Sequence, residues 1–259
     1  MKVYGFHQLV VCEKGPVNTA IVDFLQGNIF QVPTKSMEKF ENKEYDDIGV
    51  LIKALKKEDL ILEIEENRWI PRITFDGNTK VKMETSLAVL ELESAIDAEL
   101  AVRFFSATRP GKIYYYGQDS PGQIPADVPV IIKKKDFSRC KIASRVCEDF
   151  LKANREDYTF NMHFNSCWGF KVAISKNMEV KPCIYSEIVI GHLGKESIST
   201  LIKKLEYYWG LTKDKIDTCK DCELKYICFD CREIAFRKFG SLSAPNPNCK
   251  YNPHTGKWR

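Results

Sequence analysis

The chain opens on short apolar runs broken by turn residues. Residues 7–12 and 19–24 are apolar, and Lys14-Gly15-Pro16 between them predicts a hairpin loop. A third run, Ile29, Phe30 and Val32, follows Gly27-Asn28 and stops at Pro33. The spacing then turns helical, with Ile48, Leu51, Ile52 and Leu55 at i, i+3, i+4 and i+7. Leu60-Ile61-Leu62 returns to a strand-like run, and Trp69 and Pro71 close the unit. Further along, Leu87-Ala88-Val89-Leu90 and Ile113-Tyr114-Tyr115-Tyr116 read as buried strands around an amphipathic helix over 96–105. Pro121, Pro125 and Pro129 make a loop before a third strand, Val130-Ile131-Ile132. Strand–helix–strand alternation predicts a parallel βαβ piece. From about Tyr158 the periodic apolar pattern thins, and the chain runs into Ala244-Pro245-Asn246-Pro247-Asn248.

This order predicts an α+β protein in three parts. Three strands, helices and a returning strand over 1–72 resemble a winged-helix module. Residues 73–157 read as a degenerate, partial α/β barrel, since a closed eight-fold barrel takes ~250 residues. Residues 158–259 form a third part with little apolar pattern, where bound metal would supply much of the folding energy. Composition excludes disorder: of 259 residues, 44% are hydrophobic and 29% charged. No apolar run approaches the ~18 residues of a membrane span. The N-terminal segment, interrupted by Cys12, Glu13 and Lys14, lacks the pattern of a signal peptide. A cytoplasmic protein without a membrane partner is expected. The net charge of +4 gives little ground for a nucleic-acid partner. Its distribution is uneven, with 12 basic against 18 acidic residues over 1–100 and 27 against 17 over 101–259. That fits two modules with different partners, or merely uneven solvated surface.

The cysteines change the picture. There are ten, and seven lie between Cys167 and Cys249. A chain this long buries a core without disulfides, and in a reducing compartment clustered thiols point to metal. The run Cys219-x2-Cys222-x5-Cys228-x2-Cys231 carries two pairs, each able to turn two thiolates onto one metal. Cys167 and Cys183 stand upstream and Cys249 downstream. Seven thiolates exceed one tetrahedral zinc and fit two centres, one with four ligands and one with three. Iron–sulfur clusters and structural zinc both satisfy the spacing. Cys12, Cys140 and Cys147 read as buried structural thiols.

Asn165-Ser-Cys167, Lys171-Val-Ala-Ile174, Val180-Lys-Pro-Cys183, Gly191, the dense run and Cys249 together resemble a SPASM domain. SPASM domains are the C-terminal extensions of radical SAM peptide-maturing enzymes. The stretch from Tyr208 to Cys222, with Tyr226-Ile-Cys228 and Asp230-Cys231, is similar to the maturases of grasp-with-spasm systems. So is the ending Cys249-Lys-Tyr251-Asn-Pro253-His-Thr-Gly256-Lys-Trp258. The clear likeness covers roughly 158–259. A fainter one covers 1–45, at Ala20-Ile-Val-Asp23-Phe and Phe30-Gln-Val-Pro33. The resemblance implies two 4Fe–4S clusters, with zinc as the alternative. Cys219, Cys222, Cys228 and Cys249 would hold a distal cluster. Cys167, Cys183 and Cys231 would hold a proximal one, with His163 or an open iron at its fourth position. The glycine common before the second upstream cysteine is replaced by Met178. The implied partners are a short precursor peptide and an ATP-grasp ligase. The first module resembles the winged-helix element that captures leader peptides. Its candidate edge is the third strand, Asn28, Ile29, Phe30, Gln31 and Val32, pairing by β-augmentation.

The C-x3-C-x2-C loop of a radical SAM centre does not occur, and Cys140-x6-Cys147 comes nearest. No Gly-Gly-Glu strand end occurs either, so no SAM binding is expected and no catalytic residue is assigned. Residues 73–157 are fewer than the ~200 a SAM-binding barrel needs. Three readings follow: a partner-dependent iron–sulfur protein of peptide maturation, a stand-alone enzyme working at an open iron, and a zinc-bound nucleic-acid module.

Overall fold

A computed structural model describes residues 2–65, 87–118, 120–122, 124–134 and 151–259. Trp69, Pro71, Cys140 and Cys147 lie outside the described residues. The described part is mixed α and β.

The first unit holds five strands: β1 (Lys2–Phe6), β2 (Val10–Lys14), β3 (Asn18–Asp23), β4 (Asn28–Pro33) and β5 (Ile61–Glu65). Helices α1 (Thr34–Glu41) and α2 (Gly49–Lys57) separate β4 from β5. β2, β3 and β4 form an antiparallel meander, while β1 pairs with β5 across more than fifty residues. Alternate side chains of β3 face opposite ways, so each face of the meander finds a different cover. Ile21 joins Phe6, Met37, Phe40, Ile52 and Leu55 in the unit's own core, against which Cys12 packs half-buried. Ala20 and Val22 instead pack with Tyr158, Leu224, Ile227 and Tyr251. The meander is thus a wall between the N-terminal core and the cysteine-rich end of the chain.

Polar groups cross the same wall. Gln31 Nε2 donates to Glu223 Oε1 at 2.7 Å and to the Tyr251 hydroxyl at 2.9 Å, and that hydroxyl also bonds Glu223. Lys225 reaches Glu13 at 3.2 Å and Asp214 at 3.0 Å.

The second sheet has six strands: β6 (Val89–Leu92), β7 (Ile113–Tyr115), β8 (Val130–Ile132), β9 (Lys171–Ile174), β10 (Glu179–Lys181) and β11 (Gly191–His192). Their order is β11-β10-β9-β6-β7-β8. β9, β6, β7 and β8 run parallel, and β10 and β11 add antiparallel to that edge. Helix α3 (Ala98–Thr108), capped by the Asp97 carboxylate, makes the β6-to-β7 crossover. β6 and β7 are buried, as their apolar runs predict, whereas β8 is exposed. The sheet takes strands from both sides of the boundary expected at residue 157. Helix α5 (Ile198–Trp209) is capped by Ser197 and packs Leu201, Leu205 and Trp209 into the same core as Phe104 and Ile113. Helix α4 (Arg155–His163) is capped by Asn154. Helix α6 (Arg232–Phe239) ends at Gly240 in the left-handed region, φ 67°. A closing hairpin pairs β12 (Tyr251–Asn252) with β13 (Lys257–Trp258).

Candidate metal centre

Three local structures bring Cys167, Cys183 and Cys231 together. Cys167 lies just before β9 and Cys183 just after β10. These strands form an antiparallel hairpin with Ala173 opposite Lys181, so its open ends are neighbours. Asn165 sets the turn at the first of them. Its Oδ1 accepts from the Cys167 N–H at 3.0 Å and the Trp168 N–H at 2.8 Å. Its Nδ2 donates to the Leu211 carbonyl at 3.1 Å. Gly169 completes the turn, where a Cβ would come within 2.8 Å of the Asn165 carbonyl oxygen. Cys231 stands at the N-cap position of α6. The Asp230 N–H donates to Ser166 Oγ at 2.8 Å and ties this end to the Cys167 turn. Met178, at the position where the SPASM resemblance expects glycine, sits at φ 59°, in the left-handed region that favours glycine.

The thiols of this group sense one another. A hydrogen bond from Cys231 lowers the Cys167 pKa, helped by the Lys171 ammonium, and raises that of Cys231. Burial raises Cys183, with Cys167 and Glu91 adding to the effect. Lys171 Nζ stands 4.0 Å from Cys167 Sγ.

A second group forms around the dense run. Cys219 opens a short 3-10 turn, and the Cys222 N–H closes it on the Cys219 carbonyl at 3.0 Å. Thr218 before it sits at φ 66°, a strained position for a β-branched residue. Cys219, Cys222 and Cys249 line one cavity of about 310 Å³. Cys228 bridges to Leu151 and is charge-coupled to both Cys219 and Cys222. Burial pushes the Cys219 thiol up to about 11 and raises Cys222 as well. Lys213 Nζ lies 3.0 Å from Cys228 Sγ. Between the groups, Arg232 grips Asp230 through Nε and Nη2, both residues fully buried. Burial works against the Asp230 carboxylate, but Arg232 and Lys213 outweigh it and hold the carboxyl below its ordinary value.

Each of the seven expected cysteines therefore falls in one of two neighbourhoods. Among the described residues, no three Cys, His, Asp or Glu side chains converge as a ready-made metal-ion site. The donor set nonetheless fits an anionic, sulfur-rich group. The donors are soft, and Trp168, which packs in one cluster with Cys183 and Cys167, has a buried indole N–H with no hydrogen-bond partner among the described residues. His163 packs its ring on Phe164. The carboxylate coupled to Cys167 and Cys183 is Glu91, at the end of β6, which accepts from the Ile184 N–H at 2.8 Å and the Tyr116 hydroxyl at 3.3 Å. Sequence reasoning missed Glu91, Lys171, Lys213, Asp230 and Arg232. The signals open to it were the place of Lys171, Lys213 and Asp230 inside the stretches that carry the SPASM resemblance, and of Asp230 and Arg232 on either side of Cys231.

On the N-terminal unit, β4 pairs with β3 and its other edge has no strand partner among the described residues. The ladder alternates from the Phe24-to-Leu9 and Thr34-to-Val17 bonds. Asn28, Phe30 and Val32 therefore bond to β3, and the Ile29 and Gln31 N–H groups face the open edge.

No family model and no solved structure matches the chain. Over 82 residues, 31% of this chain, it is 33% identical to the AdoMet-dependent heme synthase of Oleidesulfovibrio alaskensis. The stretch spans about a fifth, 21%, of that protein's length. Among the described residues, no helix is long and apolar enough to cross a membrane.

Proposed function

We propose that this chain is an iron–sulfur protein related to the radical SAM enzymes, with a SPASM-type C-terminal part. In this reading it serves the maturation of a ribosomally made peptide together with an ATP-grasp ligase. The observation that carries it is the division of seven thiols into two groups, Cys167, Cys183 and Cys231 in one and Cys219, Cys222, Cys228 and Cys249 in the other. A four-plus-three division is also what the SPASM resemblance implies. The local identity to an AdoMet-dependent enzyme supports the same direction.

In this account the chain's own residues do the following. The β9–β10 hairpin and the start of α6 hold the proximal thiols, and the 219–231 segment and Cys249 hold the distal ones. Bound there, four-iron clusters would supply one-electron transfer. Lys171, Lys213 and Arg232 balance the negative charge. The open edge of β4 takes the leader peptide as an added strand, next to the Gln31–Glu223–Tyr251 network that leads to Cys222.

Ile29→Pro removes an outward N–H and leaves the β3 ladder intact. We expect it to weaken binding of a fluorescent precursor peptide at least tenfold, by anisotropy, with the iron content unchanged. Equal affinity in the variant would remove β4 from the recognition site.

A further inference from the structure

Lys213 is a charged residue buried to 7% exposure, on the segment that leads into Cys219. Burying an ammonium is costly unless an anion meets it. Among the described residues its one hydrogen bond goes to Cys228 Sγ, at 3.0 Å. A thiol is a weak and neutral acceptor. The neighbouring carboxylate, Asp230, is already paired with Nε and Nη2 of Arg232. Two buried cations, Lys213 and Arg232, thus share this one carboxylate. A thiolate-ligated metal centre would restore the balance, because it carries net negative charge that grows on reduction.

We propose that Lys213 is the built-in counter-cation of a metal–thiolate centre held by Cys219, Cys222, Cys228 and Cys249, and that it raises the reduction potential of an iron–sulfur cluster there. The proposal rests on the iron–sulfur reading above and deepens it. The ammonium donates to a ligating sulfur, and hydrogen bonds and positive charge at the sulfurs favour the reduced state. Lys213 is a positioning and tuning residue, and the ligands remain the four thiolates. Lys171 stands in the same relation to Cys167 at a longer distance of 4.0 Å. The distal centre should therefore depend on its lysine more strongly.

The test compares wild type, Lys213→Met and Lys213→Arg, each purified anaerobically with iron measured first. In a redox titration, Lys213→Met should shift one cluster so that its reduction equilibrium falls about tenfold, about 59 mV for a one-electron couple. Lys213→Arg should restore it. Loss of half the iron in Lys213→Met, restored in Lys213→Arg, is the same dependence in stronger form. Unchanged potentials with full iron would overturn the proposal and leave the iron–sulfur reading standing. Wild-type protein without iron would overturn both.

Discussion

Replacing Cys219 and Cys222 together by alanine is expected to halve the iron bound per chain and to loosen the whole stretch from Lys213 to Trp258. The two residues sit on one tight turn and line the same cavity as Cys249. Without them the distal group keeps Cys228 and Cys249, too few to hold a four-iron cluster. Few apolar side chains are available to take over. The local core is Leu224, Ile227 and Tyr251, supported from outside by Ala20, Val22 and Tyr158. Metal binding contributes ~10–16 kcal/mol to the folding of small zinc modules, which sets the scale of the loss. Iron and sulfide analysis and limited proteolysis read the two effects. A doubly substituted chain that keeps its iron and resists protease like wild type would contradict the assignment.

Asp230→Ala should be the most damaging single substitution outside the thiols, at ~3–5 kcal/mol. Asp230 is the carboxylate partner of Arg232 and lies within the field of Lys213. Removing it leaves two buried cations without a carboxylate. Among the described residues Arg232 would retain only the Leu242 and Ala244 carbonyls, at 3.0 and 2.6 Å. The pH dependence has a definite sign. The folded carboxyl titrates below its ordinary value, so its stabilisation is present above the unfolded pKa, ~3.9, and is lost as pH falls through the lower folded value. Wild type should lose more stability over that acid window than Asp230→Ala does. Chemical denaturation at a series of pH values checks both the size and the sign. A loss below 1 kcal/mol at neutral pH would show that the pair is not the anchor of this region.

The strands legible in the sequence were those with compact apolar runs. β3 and β4 fall within a residue of their expected bounds, and β8 matches Val130-Ile131-Ile132. β2 starts at Val10 and not at His7, because His7-Gln8-Leu9 forms the turn that receives it. β1 has no run of its own. Gly5 and Lys2 interrupt it, and its partner β5 lies more than fifty residues away. α1 was hidden by Pro33, which reads as a terminator. In the fold that proline closes β4 and stands at the N-terminal boundary of the helix, where a fixed φ of −56° is no obstacle. The helix then shows its apolar face only at Met37 and Phe40.

At the site, the thiols were legible because spacing carries their chemistry. The buried charges were not, because Lys213, Asp230, Arg232 and Glu91 look like surface residues until tertiary packing encloses them. The meander's second role as a wall for the cysteine-rich end was equally hidden. Both faces of β3 are buried, and period-two reading does not say what covers the second.

The central claim is that the seven thiols hold two iron–sulfur clusters, and metal analysis of anaerobically purified protein tests it most directly. About eight irons and as many acid-labile sulfides per chain, with a broad brown absorption, is the predicted result. Colourless protein with zinc and no labile sulfide would contradict it.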